Sequence, residues 1–65
     1  MLLEIFLDEF GMLAEEHQDL LRAIDVERES YDDFAARTGV SRPFMPQKVL
    51  GARLRLYAAI TLRLA

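Results

Sequence analysis

A chain of 65 residues with no cysteine and a single histidine has few ways to stabilise a fold. Domains below roughly 70–80 residues rarely gain more than about 3–5 kcal/mol from one core, and most add disulfide bonds or a metal. Neither a disulfide framework nor a cysteine-based zinc site can form here. Because 52% of the residues are hydrophobic, the chain is also not typical of a disordered protein. We therefore expect one domain over residues 1–65, stabilised in part by association with another copy or a partner.

Charged residues are separated along the chain. All eleven acids lie between Glu4 and Asp33, where Arg22 and Arg28 are the only bases, so this stretch has a net charge of −9. From Phe34 onwards there are six bases and no acid, a net charge of +6. Either the basic half pairs with the acidic half inside the fold, or the two halves form surfaces with different tasks.

The beginning of the chain does not resemble a targeting segment. It carries acidic residues instead of the basic region of a secretory signal. No apolar run approaches the roughly 20 residues that a membrane-spanning helix needs. We therefore expect a cytoplasmic location.

Hydrophobic spacing and composition predict an all-α fold, a compact four-helix unit with a long C-terminal helix. Leu, Ala, Glu and Arg are abundant, whereas β-branched residues are sparse. The predicted helices cover residues 2–10, 13–27, 31–38 and the low forties to about 64. Gly11 is predicted to end the first helix, and Gly39 the third.

Two capping residues are predicted at the later helices. Ser30 is a good N-cap, with Asp33 three residues later as in an acidic variant of the capping box. Ser41 is expected to cap the fourth helix, whose start is restricted by Pro43 and Pro46. Two helices joined by a short turn that contains glycine match a helix-turn-helix motif, in which the second helix enters the DNA major groove. The turn at Gly39 is followed by a donor-rich, basic stretch, as a polyanion would require.

The stretch from Leu13 to Arg42 resembles region 4 of bacterial sigma factors, particularly the extracytoplasmic-function group. The residues that carry the resemblance form an opening segment, a Ser-Tyr segment and a basic segment: Leu13, Glu15, Glu16, His17, Leu20 and Leu21; Ser30, Tyr31, Asp33, Phe34, Ala35, Gly39, Val40 and Ser41; and Lys48, Val49, Ala52, Arg53 and Leu56. The resemblance divides the single domain into an N-terminal helix, residues 1–11, and a sigma region 4-like part, residues 12–65.

The resemblance implies a domain that binds the −35 promoter element and the flap of RNA polymerase. Nothing in the chain resembles sigma region 2, so it would be a stand-alone unit. Two positions depart from the family pattern. The family usually has a small or polar residue at the position of Phe44 and a basic residue at the position of Pro46. Pro46 lacks a backbone donor, and the recognition helix is then expected to start near it. The candidate DNA-binding residues are Arg37, Ser41, Arg42, Gln47, Lys48, Arg53 and Arg55.

The last helix is apolar on two faces. One stripe is assigned to the core of the domain: Met45, Val49, Ala52, Leu56, Ala59 and Ile60. A second stripe lies on another face and includes Leu50, Leu54, Tyr57 and Leu64. Either the N-terminal helix covers it through Leu3, Phe6 and Phe10, or a second copy or partner does. The candidate partner interface consists of residues from both helices: Leu3, Phe6, Phe10, Leu50, Leu54, Tyr57 and Leu64. We expect a homodimer.

Other site types find little support in the sequence. His17 lies on an apolar helical face and is predicted to be a half-buried core or boundary residue, not a ligand or a catalytic base. No nucleophile constellation, phosphate-binding glycine loop or metal-ligand spacing occurs, so we expect no catalysis, cofactor or metal. The sequence thus predicts a small DNA-binding transcriptional regulator. The alternative is a regulator that binds RNA polymerase, a sigma factor or an activator without reading DNA.

Overall fold

A computed structural model describes all residues 1–65 and contains four α-helices and no strand, which confirms the predicted all-α fold. The helices are α1 (Leu2–Met12), α2 (Glu15–Leu21), α3 (Tyr31–Thr38) and α4 (Met45–Leu64). A π-helical turn (Arg22–Val26) continues α2, and a 3-10 turn (Arg42–Phe44) precedes α4. No helix combines the length and apolar character that crossing a membrane requires.

The prediction that Gly11 ends the first helix is wrong, because α1 continues to Met12 and turns at the extended residue Leu13. The side-chain amide of Gln18 donates hydrogen bonds to the carbonyl oxygens of Gly11 at 3.0 Å and Leu13 at 2.8 Å. Carbonyls near a helix end need such partners. A side chain of the following helix therefore takes the capping role that the sequence assigned to glycine.

The second helical segment starts at Glu15, two residues later than predicted, because Leu13 and Ala14 are extended. Its last turn widens into the π form, in which the N–H of Glu27 donates to the carbonyl of Arg22. The chain then leaves the helix through Arg28, whose φ of +60° lies in the left-handed region. A residue with a Cβ atom is strained there, whereas glycine is not.

Helix α3 has the two ends that the sequence predicts. The backbone N–H of Asp33 donates to Ser30 Oγ at 3.0 Å, which is the bond of an N-cap. At the other end Gly39 has a φ of +79°, and its N–H donates to the carbonyl of Ala35 at 2.9 Å. This left-handed glycine ends α3 and redirects the chain towards α4.

The start of α4 differs from the prediction at Ser41, whose side chain makes no capping hydrogen bond. The 3-10 turn occupies the place of a cap, with the N–H of Phe44 bonded to the Ser41 carbonyl. Helix α4 then begins at Met45, and Pro46 lies in its first turn, where a backbone donor would have no partner inside the helix. Pro46 is therefore compatible with the helix.

The core is formed by α2 with its π turn, by α3 and by one face of α4. Its ten buried residues are all apolar: Leu20, Leu21, Ala23, Ile24, Phe34, Ala35, Met45, Val49, Ala52 and Leu56. Four of the six residues in the predicted core stripe of α4 are in this set, while Ala59 and Ile60 are half-buried. Helix α1 buries no residue fully, and Phe10 packs on the edge of the core.

The second stripe of α4 is uncovered within the chain. Leu50, Leu54, Tyr57 and Leu64 each keep 53–59% of their surface exposed. The alternative in which α1 alone covers them is therefore wrong. Helix α1 instead packs beside the end of α4, where Arg63 contacts Asp8 at 3.4 Å and Glu9 at 3.2 Å. The outer apolar residues of α1, such as Leu3 and Leu7, are also exposed.

Candidate nucleic-acid interface

Helices α3 and α4 and their connection carry all seven candidate DNA-binding residues. Arg37 lies in the last turn of α3, and Ser41 and Arg42 lie in the connection after Gly39. Gln47 and Lys48 follow in the first turns of α4, with Arg53 and Arg55 further along it. The structure divides these residues into a paired set and an unpaired set.

Arg37 is held by an acidic residue from before α3. Its Nε and Nη2 atoms donate to the two carboxylate oxygens of Glu29 at 2.9 and 2.7 Å, a bidentate pair. This pair lowers the pKa of Glu29 and raises that of Arg37 relative to their ordinary values. The guanidinium also lies 5.0 Å from the centre of the Phe34 ring. Arg37 is therefore oriented before any ligand arrives.

Arg42 has the same kind of environment. Its Nε donates to Asp32 Oδ1 at 2.6 Å, and its guanidinium lies 5.2 Å from the centre of the Tyr31 ring. Both side chains of the ion pair are about half exposed or more. Exposed ion pairs contribute only about 0–1 kcal/mol, so a phosphate could replace the carboxylate at small cost.

Arg53 lies on a different side of α4 from the other candidates. It forms a bidentate pair with Asp25 of the π turn, with one bond of 3.0 Å from Nε to Oδ2. Arg28 and Tyr57 line the same depression. The pair ties the middle of α4 to the end of the α2 segment, so Arg53 has a structural role and is not brought together with Lys48 or Arg55.

Three of the candidates without an ion pair, Gln47, Lys48 and Arg55, border a groove of about 330 Å³ between α2, the end of α3 and α4, whereas Ser41 does not line it. Lys48 and Arg55 are seven residues apart on α4 and therefore share one side of it, and neither forms an ion pair. We call Lys48 and Arg55 the basic row, and the uncharged Gln47 lies beside them at the groove. The opposite rim carries Glu16 and Asp19, and the floor is apolar: Leu20, Phe34, Val40 and Ala52.

His17 lies at the same groove and is half-buried, in agreement with its sequence prediction. Its Nε2 atom is 3.9 Å from Glu16 Oε1, too far for a hydrogen bond. No buried side-chain polar atom in the chain lacks a hydrogen-bond partner. His17 is thus a boundary residue of the groove wall.

Four of the six C-terminal bases pair with acids from the N-terminal half: Arg37, Arg42, Arg53 and Arg63. From the sequence, pairing of the basic half with the acidic half was one of two interpretations of the charge distribution. The separation of charge along the chain was the only sequence feature that indicated such pairing. The individual partners could not be found from spacing, because they are 8 to 55 residues apart. Pairing leaves Lys48 and Arg55 as the free cations of this half.

The Asp25–Arg53 pair predicts a defined effect of pH on stability. Hydrogen bonds from Arg53 lower the pKa of Asp25 below its ordinary value of 3.8. A carboxyl whose native pKa is lowered stabilises the fold above its unfolded pKa and loses this contribution as the pH falls through its native pKa. In the wild type, we therefore expect the urea concentration at the unfolding midpoint to decrease as the pH is lowered below about 4.

The Asp25→Asn variant should lose up to about 1 kcal/mol at neutral pH, since both side chains of the pair are about one third exposed. Its midpoint should then change less between neutral and acid pH than that of the wild type. Urea titrations monitored by circular dichroism at several pH values measure both slopes. If the urea midpoints of the two proteins decreased equally with falling pH, the Asp25–Arg53 pair would not be the cause of the acid sensitivity.

Comparison of the chain with protein-family models, curated proteins and solved structures finds no significant match.

Proposed function

We propose that the chain is a transcriptional regulator whose α3–Gly39–α4 segment acts as a helix-turn-helix and binds DNA mainly through phosphates. The observation that carries the proposal is the basic row, where Lys48 and Arg55 point to one side of α4 without an acidic partner. Arg37 and Arg42 flank the left-handed turn at Gly39, and about half of each side chain is exposed. A phosphate can replace the exposed carboxylate of Asp32 at Arg42.

The composition of α4 limits how much sequence such a segment can read. Direct readout needs donors and acceptors that reach base edges. In the first two turns of α4, only Gln47 and Lys48 are polar, while Phe44, Pro46 and Leu50 beside them are exposed and apolar. The acids Glu16 and Asp19 across the groove also repel phosphate. We therefore propose weak binding with little sequence discrimination.

Fluorescence anisotropy with a labelled duplex of mixed sequence tests the proposal. With four phosphate contacts from Arg37, Arg42, Lys48 and Arg55, affinity should fall about 100-fold between about 50 and 200 mM salt. Lys48→Ala and Arg55→Ala should each weaken binding and make the salt dependence shallower. Absence of binding at the lower salt concentration would contradict the proposal.

Matched variants separate a local site from a general effect of charge. Asp32→Asn frees Arg42, and we expect it to raise DNA affinity by about threefold to fivefold, the equivalent of an exposed ion pair. Asp8→Asn makes the same change in net charge on α1, where Arg63 keeps Glu9 as a partner, and should leave affinity nearly unchanged. Equal gains in the two variants would show that net charge alone governs binding.

A second candidate function is binding of a transcription protein, such as RNA polymerase, without DNA. The apolar side chains at the start of α4 favour it, since Phe44 and Leu50 are each more than half exposed. A pull-down with purified polymerase core and sigma subunits tests this alternative. Retention that is lost in Leu50→Asp but kept in Lys48→Ala would support it, and failure to retain any of these proteins would contradict it.

A further inference from the structure

Gly51 is a glycine that the fold itself does not require. It lies in the interior of α4, where glycine is among the least favourable residues. Its φ is not in the left-handed region. Apart from its chain neighbours and the backbone of its own helix, no heavy atom lies within 4 Å of the position that a Cβ atom would take. Neither the backbone conformation nor the approach of another helix therefore explains the missing side chain.

The open space beside Gly51 belongs to the groove of about 330 Å³ between α2, the end of α3 and α4. Small-molecule sites have volumes of about 300–1,000 Å³, with mostly apolar walls and a few polar groups that orient the ligand. Two turns of a partner helix, about 10–12 Å in diameter, would occupy roughly 850 Å³ or more. The groove therefore has the size of a small-molecule site, and glycine is a residue that lets a ligand approach the backbone closely.

The charged groups at the groove determine which ligand fits it. Lys48 and Arg55 line one side and have no acidic partner within the chain, so both are free to bind a carboxylate. The opposite rim carries Glu16 and Asp19. Their carboxylates disfavour a ligand with a second negative charge. The groove therefore fits an apolar molecule with a single negative charge.

We propose that this groove binds a small apolar carboxylic acid, such as an arylalkanoate, with its apolar part over Gly51 and Val40 and its carboxylate at the basic row. Because the same two cations are assigned to DNA phosphates, the bound ligand weakens DNA binding. This second effect rests on the proposed function, whereas binding of the ligand does not. The groove thus acts as an effector site that controls release from DNA.

Titration of the isotope-labelled full chain with hydrocinnamate, followed through the amide NMR signals, tests ligand binding without DNA. We expect saturable shifts at Val40 and Gly51, with a dissociation constant on the order of 1 mM for a ligand of about ten non-hydrogen atoms. Acetate has the same charge without the apolar part and should cause no saturable shift. Hydrocinnamyl alcohol has the apolar part without the charge and should bind about threefold to fivefold more weakly, the equivalent of an exposed ion pair.

Two variants separate the contributions of space and charge. Gly51→Leu fills the groove and should raise the dissociation constant at least tenfold, while leucine improves the helix propensity. Gly11→Leu is the matched control, because Gly11 is also helical with free space at its Cβ position but does not line the groove. It should bind like the wild type. The double variant Lys48→Met/Arg55→Met should bind the acid and the alcohol with similar affinity.

DNA anisotropy at about 50 mM salt then tests the competition. Saturating hydrocinnamate should weaken duplex binding about tenfold relative to the same concentration of acetate, the equivalent of one lost phosphate contact. A wild type that binds no DNA contradicts the proposed function and leaves the NMR titration decisive for the groove. No saturable shift up to about 20 mM hydrocinnamate, unchanged affinity in Gly51→Leu, or equal binding of acid and alcohol by the wild type would each overturn the ligand site. DNA binding that is unaffected by a bound ligand would overturn the competition.

Discussion

Replacing Met45 by alanine is expected to unfold a large fraction of the protein at room temperature. Met45 is fully buried at the first position of α4, where it contacts the core below the end of the 3-10 turn. Truncating a buried methionine to alanine costs about 2–5 kcal/mol, from lost transfer free energy and the remaining cavity. The total stability of a single core of this size is only about 3–5 kcal/mol.

Circular dichroism during urea unfolding measures this effect, at one fixed protein concentration because association also stabilises the native state. Leu62→Ala is the control, since Leu62 is on the same helix, 77% exposed and outside the candidate partner interface. Both variants gain the high helix propensity of alanine, so their difference isolates burial. A Met45→Ala midpoint equal to that of Leu62→Ala would show that this core position is not packed as described.

Two residues with left-handed backbone should respond to substitution with opposite signs. Gly39→Ala is expected to lower the free energy of unfolding by about 1–2 kcal/mol, because a Cβ atom is disfavoured at a φ of +79°. Arg28→Gly should raise it by a few tenths to about 1 kcal/mol, because glycine relieves strain at a φ of +60° but loses more backbone entropy on folding. No heavy atom lies within 4 Å of the Cβ position at Gly39, so backbone strain alone is tested there.

Thermal and urea unfolding of Gly39→Ala, of Arg28→Gly and of the double variant measure these effects. Arg28 forms no ion pair, so its replacement should report mainly on the backbone. The two changes lie in separate turns and should be additive within about 0.5 kcal/mol. Destabilisation by Arg28→Gly would mean that the Arg28 side chain contributes more than the strain it imposes.

Local sequence chemistry determined most of the secondary structure. The bond from Asp33 to Ser30 and the left-handed Gly39 agree with prediction because caps depend on neighbours within one helical turn. The core stripe of α4 was found for the same kind of reason, since hydrophobic spacing is local. The predictions that failed, at Gly11 and Ser41, are also at helix ends. There, Gln18 and a 3-10 turn satisfy the backbone groups instead.

The candidate site was predictable only as a set of residue types. The sequence contained a basic half and an acidic half, and it could not tell which bases remain free. Ion pairs between distant residues depend on where the helices pack, and neither hydrophobic period nor composition encodes that directly. In the structure, Arg37, Arg42 and Arg53 form ion pairs with acidic side chains, whereas Lys48 and Arg55 lie beside the groove without an ion pair.

The sequence alone thus determined that a chain without cysteine folds as helices around an apolar core, because helix propensity, capping and hydrophobic spacing act over a few residues. The tertiary structure decided which charges cancel and which apolar faces stay open to solvent. These outcomes depend on the packing of α1, α2 and α4 against one another, through contacts such as Asp25–Arg53 and Asp8–Arg63 between residues far apart in the chain.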